Sequence, residues 1–128
     1  MKKFRFLKSF WLAIVWTIVI FVLSVSPGVQ LPQITQSPDK IGHFIAYALL
    51  SWLYLLGIRK EDKWSYRSVL LILTGVSLYG ISLEFIQWFF CTNRYFEVMD
   101  MLANVSGTLI SYLLFRLFIN KKPKFHGF

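Results

Sequence analysis

Four apolar stretches divide this chain of 128 residues, and they limit its fold more than any other feature. They cover residues 10–25, 41–58, 69–90 and 98–119. A helix needs about 17–25 largely apolar residues to cross a bilayer, and each stretch reaches that length once its flanks are counted. Because lipid offers no partner to unpaired backbone groups, spans of this kind are helical. The sequence therefore predicts an all-α membrane protein, a four-transmembrane-helix bundle forming one domain over residues 1–128.

The first apolar stretch has two interpretations. A charged start followed by a short apolar run also describes a signal peptide, with Ser24 and Ser26 as small residues near a cleavage site. Pro27 directly after that site disfavours cleavage, and Trp11 and the flank Phe4–Leu7 lengthen the apolar run. We therefore favour an uncleaved first span.

The basic residues lie between the apolar stretches. Twelve of the 14 form three clusters: Lys2, Lys3, Arg5 and Lys8; Arg59, Lys60, Lys63 and Arg67; Arg116, Lys121, Lys122 and Lys124. Since lysine and arginine are in excess on the cytoplasmic side of membrane helices, we predict an N-in, C-in topology in a bacterial cytoplasmic (inner) membrane. The net charge of +8 is not gathered on one helix face, and no zinc-finger spacing is present, so we expect no nucleic-acid partner.

Polar residues interrupt the apolar sequence on the side opposite the basic clusters, which makes that side extracytoplasmic. Glu84 and Gln87 are three residues apart, and Asp100 and Asn104 are four apart, so each pair lies on one helix face. Ionisable residues in spans cost about 2.5–3.5 kcal/mol at the helix centre and normally face a bundle interior or a wet cavity. The candidate binding residues are Asp39, Lys40, His43, Tyr47, Glu84, Gln87, Arg94, Asp100 and Asn104.

These candidates allow either binding or catalysis. Lys40 and Arg94 suit a phosphate or pyrophosphate headgroup, because a guanidinium offers two parallel donors to phosphate oxygens. His43, Glu84 and Asp100 are the candidates for an acid or base role. A carboxylate cluster with one histidine resembles a divalent-metal site, but no HxxxH or HExxH spacing supports it. The sequence therefore identifies neither a metal nor a cofactor.

Several of these positions also have a purely structural interpretation. Asp39 is a candidate N-cap of the second helix. Gln87 and Asn104 are candidates for interhelical hydrogen bonds, which are worth about 0.6 kcal/mol each in membrane proteins. Gly107 in the fourth span and Gly80 in the third are expected to let helices approach closely.

Four motifs together resemble the VanZ-like family of small multi-pass bacterial membrane proteins. They are DKIGHFIAY at 39–47, ExxQ at 84–87, Arg94, and DxxxNxxG at 100–107. The resemblance implies that the nine candidate residues and Gly107 are the motif positions of this chain. The family is named for a member associated with teicoplanin resistance, and its biochemical activity is not settled.

The chain departs from the family pattern at two places. Asn93 and Tyr95 flank Arg94 where a small residue is expected, and Ser111 occupies a position where a second helix-packing glycine is common. The first departure bears on the fit of a ligand, and the second on tight helix packing. Neither changes the acidic residues.

Three functional hypotheses follow. The leading one is that the protein binds a lipid-linked or cell-envelope component, such as a cell-wall precursor, from the outside and thereby lowers susceptibility to lipophilic glycopeptides such as teicoplanin. The first alternative is an intramembrane enzyme acting on a phospholipid or polyprenyl phosphate. The second is a structural partner subunit, in which the polar residues lock the helices together. The bilayer is the one certain partner, and a small bundle of this type is also compatible with an oligomer.

Overall fold

The computed structural model describes residues 2–25, 37–90 and 98–119, and this part of the chain forms four α-helices. They are α1 (Lys2–Val25), α2 (Ser37–Lys60), α3 (Tyr66–Phe90) and α4 (Val98–Phe118). Each contains a segment long and apolar enough to cross a membrane: Leu7–Val25, Ile41–Lys60, Tyr66–Gln87 and Val98–Phe118. The predicted all-α membrane protein with four transmembrane helices is confirmed.

Two helices begin earlier than hydropathy indicates. Helix α1 starts at Lys2, so the first basic cluster continues the helix beyond the apolar segment. Helix α2 starts at Ser37, which places Asp39 in its first turn and not at the N-cap. Pro38 fits that turn, because a first-turn residue has no intrahelical acceptor for its N–H. Hydropathy locates the part of a helix that lies in lipid, whereas backbone hydrogen bonding decides where the helix ends.

The connection between α2 and α3 is specified by local hydrogen bonds. Asp62 adopts a left-handed conformation with φ of 55°, which ends α2. The amides of Asp62 and Lys63 then donate to the carbonyls of Arg59 and Ile58, which is the Schellman arrangement of a helix C-terminus. Ser65 caps α3, since its Oγ accepts the Ser68 amide at 3.1 Å. This turn returns the chain antiparallel.

Helices α2 and α4 form the most extensive contact of the bundle and run parallel to each other. Near their starts, a Cβ atom on Gly107 would lie 2.3 Å from the Phe44 carbonyl oxygen, so the two backbones touch there. Near their ends, Phe115 packs edge-on against Trp52 with ring centroids 4.9 Å apart, and it stacks on Trp64 at 5.3 Å. The expected close approach at Gly107 is therefore present.

Helix α1 packs against α2 and α3 through side chains that bond to backbone carbonyls. Trp16 Nε1 donates to the Ala46 carbonyl at 2.9 Å. Tyr79 Oη donates to the Thr17 carbonyl at 2.6 Å. Within the described ranges, no Cα atom of α1 lies within 8 Å of a Cα atom of α4. The position of α1 thus depends on specific polar contacts as well as on apolar packing.

The charged residues distinguish the two ends of the bundle. The described basic side chains all lie where α1 and α3 begin and where α2 and α4 end, and we name this the basic end. They are Lys8, Arg59, Lys60, Lys63, Arg67 and Arg116. The opposite end, where α2 and α4 begin, contains His43, Glu84 and Asp100. Two apolar clusters separate the ends, one around Phe115 and one around Leu50.

We expect Gly107→Ala to lower the stability of the bundle by about 1–3 kcal/mol, because the added methyl group meets backbone that cannot move aside. Gly75→Ala is the matched control, since a Cβ there meets nothing within 4 Å. That variant should be neutral or gain about 0.5–1 kcal/mol from the helix preference for alanine. Thermal unfolding in detergent micelles measures both, and equal effects at the two glycines would contradict the close contact.

Candidate functional site

Four polar side chains from α3 and α4 are buried together at the opposite end. Glu84 and Gln87 are 3% and 5% exposed, and Asp100 and Asn104 are 5% and 1% exposed. Their spacing of three and four residues puts each pair on one helix face. Helix α2 contributes the buried Tyr47 to the same end of the bundle. We call these four residues, with Tyr47 and His43, the polar cluster.

His43 and Asp100 link α2 to α4 within the polar cluster. His43 Nε2 lies 3.9 Å from Asp100 Oδ2. That separation is too long for a hydrogen bond but within reach of an ion pair when the imidazole is protonated. The His43 side chain is 18% exposed, against 8% for the side chain of Asp100. His43 is therefore the more accessible of the two titratable groups.

Helices α2, α3 and α4 meet at Gly80, on the side of the polar cluster that faces the centre of the bundle. A Cβ on Gly80 would lie 3.0 Å from Asn104 Nδ2 and 3.0 Å from Tyr47 Cε1. The amide of α4 and the phenol ring of α2 thus converge on the bare backbone of α3. The Glu84 carboxylate, one turn further along α3, interacts electrostatically with Tyr47. The missing side chain of Gly80 makes room for the Asn104 and Tyr47 side chains, whereas that of Gly107 lets the backbones of α4 and α2 touch.

The amide oxygen of Asn104 is the unusual group of the cluster. Asn104 Oδ1 is buried, and among the described residues it has no hydrogen-bond partner. The Asn104 backbone carbonyl, by contrast, accepts from Thr108 Oγ1 at 2.9 Å. A buried acceptor left unsatisfied costs about 1–3 kcal/mol. Such a group requires an explanation, which is either a structural compromise or a ligand.

Gln87 forms an interhelical hydrogen bond, which is the structural role that the sequence suggested for it. Its Nε2 donates to the Ser24 carbonyl at 3.0 Å. Ser24 lies in the last turn of α1, where carbonyls have no intrahelical donor. Gln87 therefore fastens the end of α1 to α3. The expectation of interhelical hydrogen bonding is met for Gln87, while Asn104 Oδ1 makes no such bond within the described residues.

The side chains of three predicted site residues lie outside the described structure. Asp39 and Lys40 belong to the first turn of α2, and their side chains lie outside the described structure. Arg94, with its neighbours Asn93 and Tyr95, lies outside the described residues altogether. The structure brings together His43, Tyr47, Glu84, Asp100 and Asn104. Gln87 lies one turn beyond Glu84 on α3, and its contact is with the Ser24 carbonyl of α1.

Sequence reasoning missed part of the polar face of α4. Thr108 and Ser111 are buried and continue the face that begins at Asp100 and Asn104. The spacing of these four positions is a signal that the sequence does contain. The Ser24 carbonyl was also missed, and no signal marks it, because every residue carries a backbone carbonyl.

The described part of the cluster is rich in hydrogen-bond acceptors. It has two carboxylates and an unpartnered amide oxygen, and the described lysines and arginines lie at the basic end. In the ranges that the structure describes, no group of three or more His, Cys, Asp and Glu residues is arranged to hold a metal ion. Donor groups of a ligand, such as hydroxyls or amines, would match this surface.

A comparison with models of protein families identifies the family of this chain. A family model described as VanZ/LLP1 matches residues 2–119. The chain belongs to the VanZ/LLP1 family. The match runs through all four helices, and it confirms the resemblance that the motifs indicated. Comparisons with curated proteins and with solved structures find no match. This VanZ/LLP1 protein is thus a multi-pass membrane protein whose activity has to be inferred from its own residues.

We expect Gln87→Leu to lower the stability of this VanZ/LLP1 protein by about 0.6 kcal/mol, and by at most about 1.7 kcal/mol, the range measured for hydrogen bonds between membrane helices. The loss arises because the Ser24 carbonyl loses its donor. Ser82→Ala, on the exposed face of the same helix, is the control and should leave stability unchanged. Thermal unfolding in micelles measures the stability of both variants. An equal loss of stability in both would show that the Gln87–Ser24 hydrogen bond contributes nothing.

Proposed function

We propose that this protein binds the headgroup of a lipid-linked or other cell-envelope component at the polar cluster. The observation that carries the proposal is the buried Asn104 amide oxygen, which has no partner within the described residues. The Asn104 side chain packs with Tyr47 against Gly80. Burying Glu84 and Asp100 in membrane helices is costly, and such residues usually mark a site. A ligand that donates a hydrogen bond to the Asn104 oxygen would offset the cost of burying that acceptor.

The chemistry of the cluster indicates which part of the ligand reaches it. Carboxylates and an amide oxygen accept hydrogen bonds, so they suit the hydroxyl or amino groups of a sugar or peptide headgroup. A phosphate of the same ligand would need cations. Lys40 precedes His43 by less than one turn of α2, and Arg94 lies in the connection between α3 and α4, so both are near in sequence. We assign the phosphate to these two residues as part of the proposal.

The proposed ligand approaches from outside a bacterial cytoplasmic membrane. The basic end is assigned to the cytoplasm because lysine and arginine accumulate there, and the polar cluster is then extracytoplasmic. In this orientation both chain termini are cytoplasmic. The partially exposed His43 is the first residue of the cluster that a headgroup would meet.

The orientation is testable with the native cysteine. Cys91 is the one cysteine of the chain, and in sequence it directly follows Phe90, the last residue of α3. We expect a membrane-impermeant maleimide to label it in intact cells. In a Cys91→Ser background, Asp62→Cys in the turn at the basic end should be labelled only after the membrane is permeabilised. The reverse pattern would overturn the assigned orientation.

The binding proposal predicts that a lipid-linked component co-purifies with the protein. Native mass spectrometry of protein extracted from bacterial membranes should detect it. We expect Glu84→Gln and Asn104→Ala each to reduce its retention roughly tenfold, which corresponds to the loss of one buried hydrogen bond of about 1–3 kcal/mol. Ser51→Ala is the control, because that buried hydroxyl lies on α2 beyond the cluster and also has no partner in the described structure.

The same variants separate binding from a purely structural role. If Glu84→Gln lowers the unfolding temperature but leaves lipid retention unchanged, the cluster locks helices and the binding proposal fails. If no component is retained by the wild-type protein, the proposal also fails. Expression in a sensitive strain gives a second readout. We propose that the protein lowers susceptibility to teicoplanin, and that Glu84→Gln abolishes this effect, with a glycopeptide that lacks a lipid tail as control.

An enzyme is the second candidate, and the His43–Asp100 pair favours it. When a partly exposed imidazole beside a buried carboxylate accepts a proton, the carboxylate stabilises the imidazolium that forms. The substrate would be a phospholipid or a polyprenyl phosphate. Conversion of a retained lipid during incubation, lost in His43→Gln while retention persists, would establish catalysis in place of binding alone.

A further inference from the structure

A second feature of the bundle lies at the basic end, away from the polar cluster. It is a groove of about 310 Å³ between α1, α2 and α3. Its walls are mostly apolar and include Phe10, Ile14, Leu71 and Ile72. Ile14 and Leu71 are exposed, and both lie within membrane-spanning segments, so the groove is open to the hydrocarbon of the bilayer. An apolar groove that opens to the hydrocarbon is accessible to an acyl chain.

Polar groups occur where the groove meets the basic end. Ser68 lines the groove, and its Oγ accepts a hydrogen bond from Ser65 Oγ at 2.9 Å, which leaves the Ser68 hydroxyl hydrogen available for another acceptor. Arg67 is exposed and lies one turn before Leu71, so the two are neighbours on the surface of α3. A cation and a hydroxyl donor therefore lie next to the apolar wall.

The net positive charge of the basic end favours binding of an anionic ligand. Six described basic residues lie there, against the two acids Glu61 and Asp62 of the turn. Glu61 accepts a hydrogen bond from Ser9, so it is engaged with α1. Lysine and arginine near a membrane surface each attract anionic lipid by about 1 kcal/mol. The surplus of positive charge next to an apolar groove is complementary to an acidic phospholipid.

We propose that the groove is a binding site for an anionic phospholipid. One acyl chain lies between α1 and α3 along Phe10, Ile14 and Leu71. The phosphate lies at the level of Ser68, where the serine hydroxyl donates to it and Arg67 supplies the opposite charge. This site is separate from the polar cluster, lies at the other end of the bundle, and binds its lipid whichever way the protein is oriented.

The test compares two phospholipids with identical acyl chains. Purified protein is incubated in detergent with phosphatidylglycerol or with phosphatidylcholine, and retained lipid is counted by native mass spectrometry. We expect the wild-type protein to retain more phosphatidylglycerol than phosphatidylcholine. Arg67→Gln should reduce retention of phosphatidylglycerol about fivefold, the ratio that corresponds to about 1 kcal/mol per basic residue, and should leave phosphatidylcholine unchanged.

Matched variants distinguish a specific lipid site from non-specific attraction of anionic lipid by all the positive charges of the basic end. Arg116→Gln removes a cation from the same end on α4, away from the groove, and should change retention less than Arg67→Gln. Leu71→Trp fills the groove and should reduce retention of both lipids, whereas Leu113→Trp, at an exposed position of α4 that does not line the groove, should not. Equal retention of the two lipids by the wild-type protein, or equal losses in Arg67→Gln and Arg116→Gln, would overturn the proposal. Variants are compared only where circular dichroism shows the wild-type helix content.

Discussion

The contact between α2 and α4 at Gly107 determines where the polar side chains of these helices meet. Because the Gly107 backbone lies against the Phe44 carbonyl, the two parallel helices have a fixed relative depth. That depth puts Asp100, two turns before Gly107, beside His43, and it puts Phe115, about two turns after Gly107, beside Trp52. A side chain at position 107 would separate the helices and displace both pairs together.

The rest of the bundle follows from the absence of a hydrophobic force between helices in lipid. Membrane helices associate through close packing and hydrogen bonds, because lipid tails solvate apolar side chains as well as other helices do. The buried face of α4 accordingly consists of small and polar residues until Phe115. Helix α1 has the least buried membrane segment of the four described spans, and its hydrogen bonds to α2 and α3 compensate for its limited packing.

Much of this arrangement could be predicted, because two of its determinants are properties of sequence. Span number depends on the length of apolar stretches, and the shared faces of Glu84 with Gln87 and of Asp100 with Asn104 depend on helical periodicity. What could not be predicted depends on tertiary geometry. The partner of Gln87 is a backbone carbonyl of α1, and no sequence pattern identifies it. The groove beside Leu71 arises from how far apart α1 and α3 lie, which side-chain spacing does not encode.

Gln87 and Asn104 show how a structural role and a binding role can be separated. Both are amides at the opposite end, and both had the same two interpretations from sequence. Gln87 donates to a carbonyl in the last turn of α1, so a structural role accounts for this amide. Asn104 Oδ1 gains no such bond within the described structure, although the residue is only 1% exposed. If the cluster only locked helices, an apolar side chain at position 104 would pack against Gly80 without burying an unsatisfied acceptor. The unsatisfied Asn104 oxygen is therefore the observation on which the binding proposal depends.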